Sequence, residues 1–179
     1  LAALIILCRE ILVSGLREYL AGVVGVWDNN SFYEGLKEQY RDLGIIFCSM
    51  DTAVTEYPDL VEPYFMTKCV PPQDNKFSAL HGAVWSGGSF LYVPKDVKVD
   101  LPLQAYFRME GSGEGTFEHT LIIADEGSDV NYIEGCTAQT YSANSMHSAV
   151  VEIFVKEGAT APSLRTTADF NADGAPDFA

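Results

Sequence analysis

The chain has 179 residues, of which 47% are hydrophobic and 20% charged, enough for one domain with a core of its own. Acidic residues outnumber basic ones 25 to 11, and a formal net charge of -14 argues against nucleic acid or an anionic membrane surface as a partner. The four cysteines (Cys8, Cys48, Cys69 and Cys136) fit no zinc spacing, and the apolar run Leu1 to Leu7 is too short to cross a bilayer and lacks a cleavage site, so the expectation is a cytoplasmic protein with reduced thiols.

In chain order, Leu4, Leu7, Ile11 and Leu12 recur at helical spacing and predict a helix over residues 1–21, broken by Gly22 to Gly25. Phe32, Leu36 and Tyr40 predict a second helix from Ser31, with Gly44 at its C-cap. Ile45-Ile46-Phe47-Cys48 reads as a short buried strand. Asp51 is placed to cap a helix running to about Tyr57, and Pro58 to open another turn through Tyr64. Pro71-Pro72 closes this region, giving a helical N-terminal part over residues 1–72. Ala79 to Trp85 then reads as a strand, followed by a turn at Ser86-Gly87-Gly88-Ser89.

Three stretches downstream look alike: Leu91-Tyr92-Val93-Pro94-Lys95, Ile122-Ile123-Ala124-Asp125-Glu126 and Ile153-Phe154-Val155-Lys156-Glu157. They recur every 31 residues, and Val99, Val130 and Ala161 keep the same register. Short β-branched and aromatic triplets stopped by Gly, Pro or charge favour strands. A fixed period of this size predicts a solenoid, so the fold class expected is mainly β, a right-handed parallel β-helix over residues 73–161 preceded by the small helical region. One face carries Leu91, Val93, Ile122, Ala124, Ile153 and Val155. The other carries Phe90, Tyr92, Leu121, Ile123 and Phe154 and needs a cover. Further strands are expected at Leu101 to Met109 and Asn131 to Glu134, the latter breaking at Gly135-Cys136 before a polar loop over Thr137 to Asn144. Residues 162–179 are rich in Asp, Ala, Gly and Pro and read as a disordered tail.

Cys136 follows a strand and a glycine, where a thiol would stand at a corner. A nucleophilic thiolate needs a nearby cation, and its sequence neighbours Glu134 and Asp129 are acidic, so a small buried filler is the competing reading. Cys48 reads as core; Cys69 lies beside Lys68. His81, His119 and His147 form no metal-binding motif, and adjacent Glu118 and His119 on a strand point to opposite faces. The Gly87-Gly88 turn lacks the residues of a phosphate loop, and Lys95 and Lys156 read as solvated turn residues.

Several blocks carry a resemblance to one family. Ala83-Val84-Trp85-Ser86-Gly87-Gly88-Ser89-Phe90, Leu101-Pro102-Leu103-Gln104-Ala105-Tyr106-Phe107-Arg108, Thr120 to Gly127, Glu134-Gly135-Cys136-Thr137-Ala138 and His147 to Glu152 appear in order, with Gly44 to Ala53 upstream. Over roughly residues 17–159 the chain is similar to SufB, the scaffold of SUF iron–sulfur cluster assembly. The resemblance implies a parallel β-helix flanked by helices and a sulfur acceptor rather than a turnover enzyme. It also implies work with a SufC-type ATPase, a SufD-type paralogue, a sulfur-transfer protein and a cysteine desulfurase. It places Cys136 on the family's sulfur-accepting cysteine and makes the iron–sulfur cluster a transient passenger. It further implies that later coils, a second cysteine, the cluster ligands and a C-terminal helical part lie outside this chain, which reads as truncated. Two other readings stay open: a β-helix module that binds or cleaves polysaccharide, and a structural partner that docks through Phe90, Tyr92, Ile123 and Phe154.

Overall fold

A computed structural model describes residues 24–28, 31–33, 38–109, 115–139, 146–170 and 176–178. The three stretches that share the 31-residue spacing are neighbouring strands. β4 (Ser89–Val93), β7 (His119–Ala124) and β10 (Val150–Val155) run parallel, with Leu91 opposite Ile122 and Ile122 opposite Ile153. A second parallel set is formed by β5 (Leu103–Met109), β8 (Tyr132–Gln139) and β11 (Ser163–Phe170). The turns between them stack as well: Lys98 bridges Asp129, which bridges Thr160.

These strands do not make the expected right-handed parallel β-helix. The described strands also include β1 (Val24–Asp28), β2 (Ser31–Tyr33), β3 (Ile46–Ser49), the short pair β6 (Gly115–Thr116) and β9 (Met146–His147), and β12 (Pro176–Phe178). Among the described residues they form three open sheets, ordered β12-β11-β8-β5-β1-β2, β10-β7-β4-β3 and β6-β9. Both large sheets are parallel in the middle, with antiparallel strands at both ends of the larger, β2 on β1 and β12 on β11, and at one end of the smaller, β3 on β4. The sheets are mixed and open, not a closed or solenoid sheet. A fixed period determines which residues of successive parallel strands lie side by side; it does not determine whether those sheets close into a coil, nor what pairs with the outermost strand.

The local differences have physical causes. Where a helix is expected from Ser31, the described residues hold β2 and then α1 (Glu38–Asp42) before Gly44, whose φ of 78° and N–H bond to the Arg41 carbonyl suit a helix end. Ser49, not Asp51, caps α2 (Met50–Glu56): its Oγ accepts the Thr52 N–H at 3.1 Å. Pro58 opens α3 (Pro58–Val61) as expected. The predicted strand at Ala79–Trp85 is instead α4 (Lys76–Val84), capped by Asn75 Oδ1 on the N–H groups of Phe77 and Ser78. Its apolar residues Phe77, Leu80 and Val84 are exposed while Ser78 and His81 are buried, so hydrophobic pattern and burial disagree there. β8 does not break at Gly135-Cys136, because β5 and β11 pair with it on both sides through that point. The tail expected to be disordered holds β11 and β12. The helix predicted over residues 1–21 lies outside the described residues.

The core has two layers, one on each face of the β3–β4–β7–β10 sheet. Phe47, Leu91, Val93, Ile122 and Ala124 pack toward Leu103, Ala105, Phe107, Tyr132 and Cys136 of the larger sheet. On the opposite face Phe90, Leu121 and Ile123 are covered by Met50, Ala53 and Val61 of α2 and α3, with Tyr64, Phe65 and Trp85 around them. The apolar face that needed a cover therefore has one within the chain, which removes the basis for a docking surface at Phe90, Tyr92, Ile123 and Phe154. No described helix is long and apolar enough to cross a membrane.

Candidate functional site

Strand β8 alternates its side chains, so Tyr132, Glu134 and Cys136 share one buried face. Cys136 is held in register between Phe107 of β5 and Thr167 of β11. His147 comes from the β6–β9 ribbon, where it lies opposite Thr116 and the Ser148 N–H bonds to the Thr116 carbonyl at 2.9 Å. Two residues beyond Thr116, Glu118 is fully buried, and its carbonyl accepts the Val150 N–H at 3.0 Å.

These three side chains meet. One ligand-type atom from each of Glu118, Cys136 and His147 lies within 4.8 Å of the other two. His147 Nε2 is hydrogen-bonded to Glu118 Oε1, and Cys136 Sγ stands 3.3 Å from Nε2 and 3.5 Å from Nδ1. The hydrogen bonds to Cys136 and to Glu118 outweigh burial and hold the His147 imidazole protonated, its pKa raised to about 10. The His147 side chain keeps 23% of its surface exposed while that of Glu118 has none, so solvent reaches the cluster from the histidine side.

The acidic neighbour that seemed to count against a reactive Cys136 is occupied elsewhere. Glu134 Oε2 accepts hydrogen bonds from Thr120 at 2.6 Å and Tyr132 at 3.0 Å, and Ser89 lies 2.8 Å from the Tyr132 hydroxyl. The cation beside Cys136 is instead His147.

Glu118 lies just before β7 and not on it, and Glu118 and His119 turn to different partners, His147 and Glu152. His119 Nε2 bonds Glu152 Oε2 at 2.9 Å, and His81 Nε2 lies 3.1 Å from His119 Nδ1. Glu152 also accepts the backbone N–H groups of Met66 at 2.8 Å and Val70 at 2.9 Å. Burial raises the Glu152 carboxyl, but the bonds from His119, Met66 and Val70 prevail and hold it below its ordinary value. Burial and the neighbouring His119 push His81 down, so it stands as a neutral imidazole.

The other described cysteines, Cys48 and Cys69, stand apart from this chemistry. Cys48 packs under α2, Cys69 is exposed, and Cys8 lies outside the described residues. Glu118 and His147 were missed as site residues. The available signal was the period: Thr116 and His147 are paired one repeat apart, and Glu118 follows Thr116 by two.

Comparison with known proteins gives the family. Residues 13–105 match the SufBD protein N-terminal region, and residues 107–170 match the SufBD core domain of SUF system iron–sulfur cluster assembly. The chain belongs to the SufBD family. It is 55% identical over 143 residues to a SufBD family iron–sulfur cluster assembly protein of Staphylococcus saprophyticus, covering 80% of this chain and 30% of that protein. It is 53% identical over 142 residues to the iron–sulfur cluster assembly protein SufB of Bacillus subtilis, covering 79% of this chain and 30% of SufB. The chain thus spans about 30% of the length of the SufBD relatives it matches.

Proposed function

We propose that this chain is the part of a SUF assembly scaffold that takes up persulfide sulfur on Cys136. The observation that carries the reading is the Cys136 sulfur 3.3 Å from the His147 imidazole, which a buried Glu118 carboxylate holds from its far side. A cation beside a sulfur favours the nucleophilic thiolate. The Cys136 thiolate, paired with the protonated His147, attacks the outer sulfur of a donor persulfide. The donor S–S bond breaks, its thiolate leaves and takes the proton from His147, and Cys136 becomes the persulfide. Atoms and electrons balance without an added oxidant, so the step is an exchange and not a turnover reaction.

In this reading the iron–sulfur cluster is cargo. The partners are those of the SUF system: a desulfurase with its transfer protein as donor, a SufC-type ATPase and a SufD-type paralogue. The family resemblance supports these roles, and a polysaccharide-acting module has no supporting feature among the described residues.

Mass spectrometry after incubation of the full chain with a persulfide donor tests the proposal. One added sulfur is expected on Cys136, none in Cys136→Ala, and a rate at least about 100-fold lower in His147→Gln, the scale of a lost general acid. Sulfur spread evenly over Cys48, Cys69 and Cys136 overturns it.

A further inference from the structure

We propose that Glu118, Cys136 and His147 also bind one divalent transition-metal ion of borderline softness, of which Fe2+ is the instance relevant to this system. The inference uses the residues of the sulfur reading but does not depend on sulfur transfer.

The donor set selects the ion. One thiolate, one imidazole and one carboxylate suit iron, cobalt or zinc, whereas magnesium and calcium take oxygen donors. The spacing fits as well. With metal–sulfur and metal–nitrogen bonds of roughly 2.3 and 2.0 Å, tetrahedral coordination puts sulfur and nitrogen roughly 3.5 Å apart. Cys136 Sγ already stands 3.3 Å and 3.5 Å from the two His147 nitrogens. The contact that must open is the hydrogen bond between His147 and Glu118, since nitrogen and oxygen on one metal lie roughly 3.3 Å apart. The part-exposed His147, on its two-stranded ribbon, is the side chain with room to make that shift. Glu118 and Cys136 are buried and fixed by backbone bonds on either side.

Three protein donors leave a coordination position open, as in sites where a metal meets a further ligand. The ion and an incoming sulfur then share one thiolate, so Cys136 holds either a metal or a persulfide in its nucleophilic state, and metal loading slows sulfur uptake.

Anaerobic titration of the full chain with Co2+ tests this, because a cobalt–thiolate bond gives a charge-transfer band in the near ultraviolet. One equivalent and that band are expected, with the band lost in Cys136→Ala and retained in the double variant Cys48→Ala/Cys69→Ala. Affinity should fall at least tenfold in Glu118→Gln and in His147→Gln. As a readout on unaltered protein, one equivalent of Zn2+ should protect Cys136, and not Cys69, from alkylation, read by peptide mass. Absence of the band together with unprotected Cys136, or a band that follows Cys69, overturns the proposal. Sulfur uptake measured in chelator-treated protein separates the two readings. Uptake on Cys136 without a cobalt site sinks the metal inference alone; a cobalt site on a Cys136 that takes no sulfur supports it and removes the sulfur reading.

Discussion

Glu152 shows how much rests on single buried side chains here. Its carboxylate has no exposed surface and accepts three hydrogen bonds, from His119 and from the backbone of Met66 and Val70, tying the segment after α3 to β10. Removing it leaves those donors unmet, so Glu152→Ala is expected to cost about 3 kcal/mol in denaturant unfolding, with faster amide exchange at Met66 and Val70. The acid dependence has a definite sign. The folded carboxyl lies below its ordinary 4.5, so its contribution is complete above that value and is lost as pH falls through the lower folded value. Wild type should therefore lose stability on acidification from pH 5 by more than Glu152→Gln does; equal losses would sink the clamp. At this scale Cys136 stood out in the sequence as a candidate because the Glu-Gly-Cys block resembles a known one. Its partners did not, because Glu118 and His147 belong to different repeats and become neighbours only when β6 pairs with β9.

The elements were readable where one physical rule dominated. Parallel pairing of β4, β7 and β10 follows the 31-residue period residue for residue, from Phe90 opposite Leu121 to Val155 opposite Ala124. The helix α4 was not readable, because its apolar side chains face outward and its cap, Asn75, lies before the stretch taken for a strand. The turn before β4 makes a sharper prediction. Gly88 has φ of 129°, and a Cβ there would stand 2.0 Å from the His119 carbonyl oxygen, which is backbone and cannot swing aside. Gly88→Ala should destabilise by more than about 3 kcal/mol and displace His119. Gly158 is the matched control: its φ is also positive at 70°, yet the nearest atom to a new Cβ is 3.8 Å away. Gly158→Ala should cost only the conformational strain, about 1 kcal/mol. Similar midpoints for the two variants in a denaturant titration would show that the close approach of β4 and β7 at Gly88 is not what constrains the turn.

For the whole molecule, the two expectations drawn from bulk properties fared differently. Periodicity correctly paired strands but could not decide closure, because the antiparallel strands at the sheet ends come from segments outside the repeat, β2 and β3 upstream and β12 downstream. Charge has a consequence that needs no topology. The net charge is -14, and the attractive pairs at the described turns are at least partly exposed: Lys95 with Glu126 at 2.6 Å, both more than half exposed, and Lys156 with Asp125 at 3.1 Å. Exposed pairs of this kind are worth at most about 1 kcal/mol each, whereas repulsion among the excess carboxylates acts over the whole surface. Screening weakens both, and repulsion is the larger of the two. Raising ionic strength from about 0.01 to 0.2 M shortens the screening length from roughly 30 Å to under 10 Å, so the melting temperature should rise by several degrees over that range. The double variant Lys95→Gln/Lys156→Gln should show a steeper rise, since two attractive pairs no longer offset the repulsion. A melting temperature that falls with added salt would mean that the paired turns, and not the excess of negative charge, govern the electrostatics of this fold.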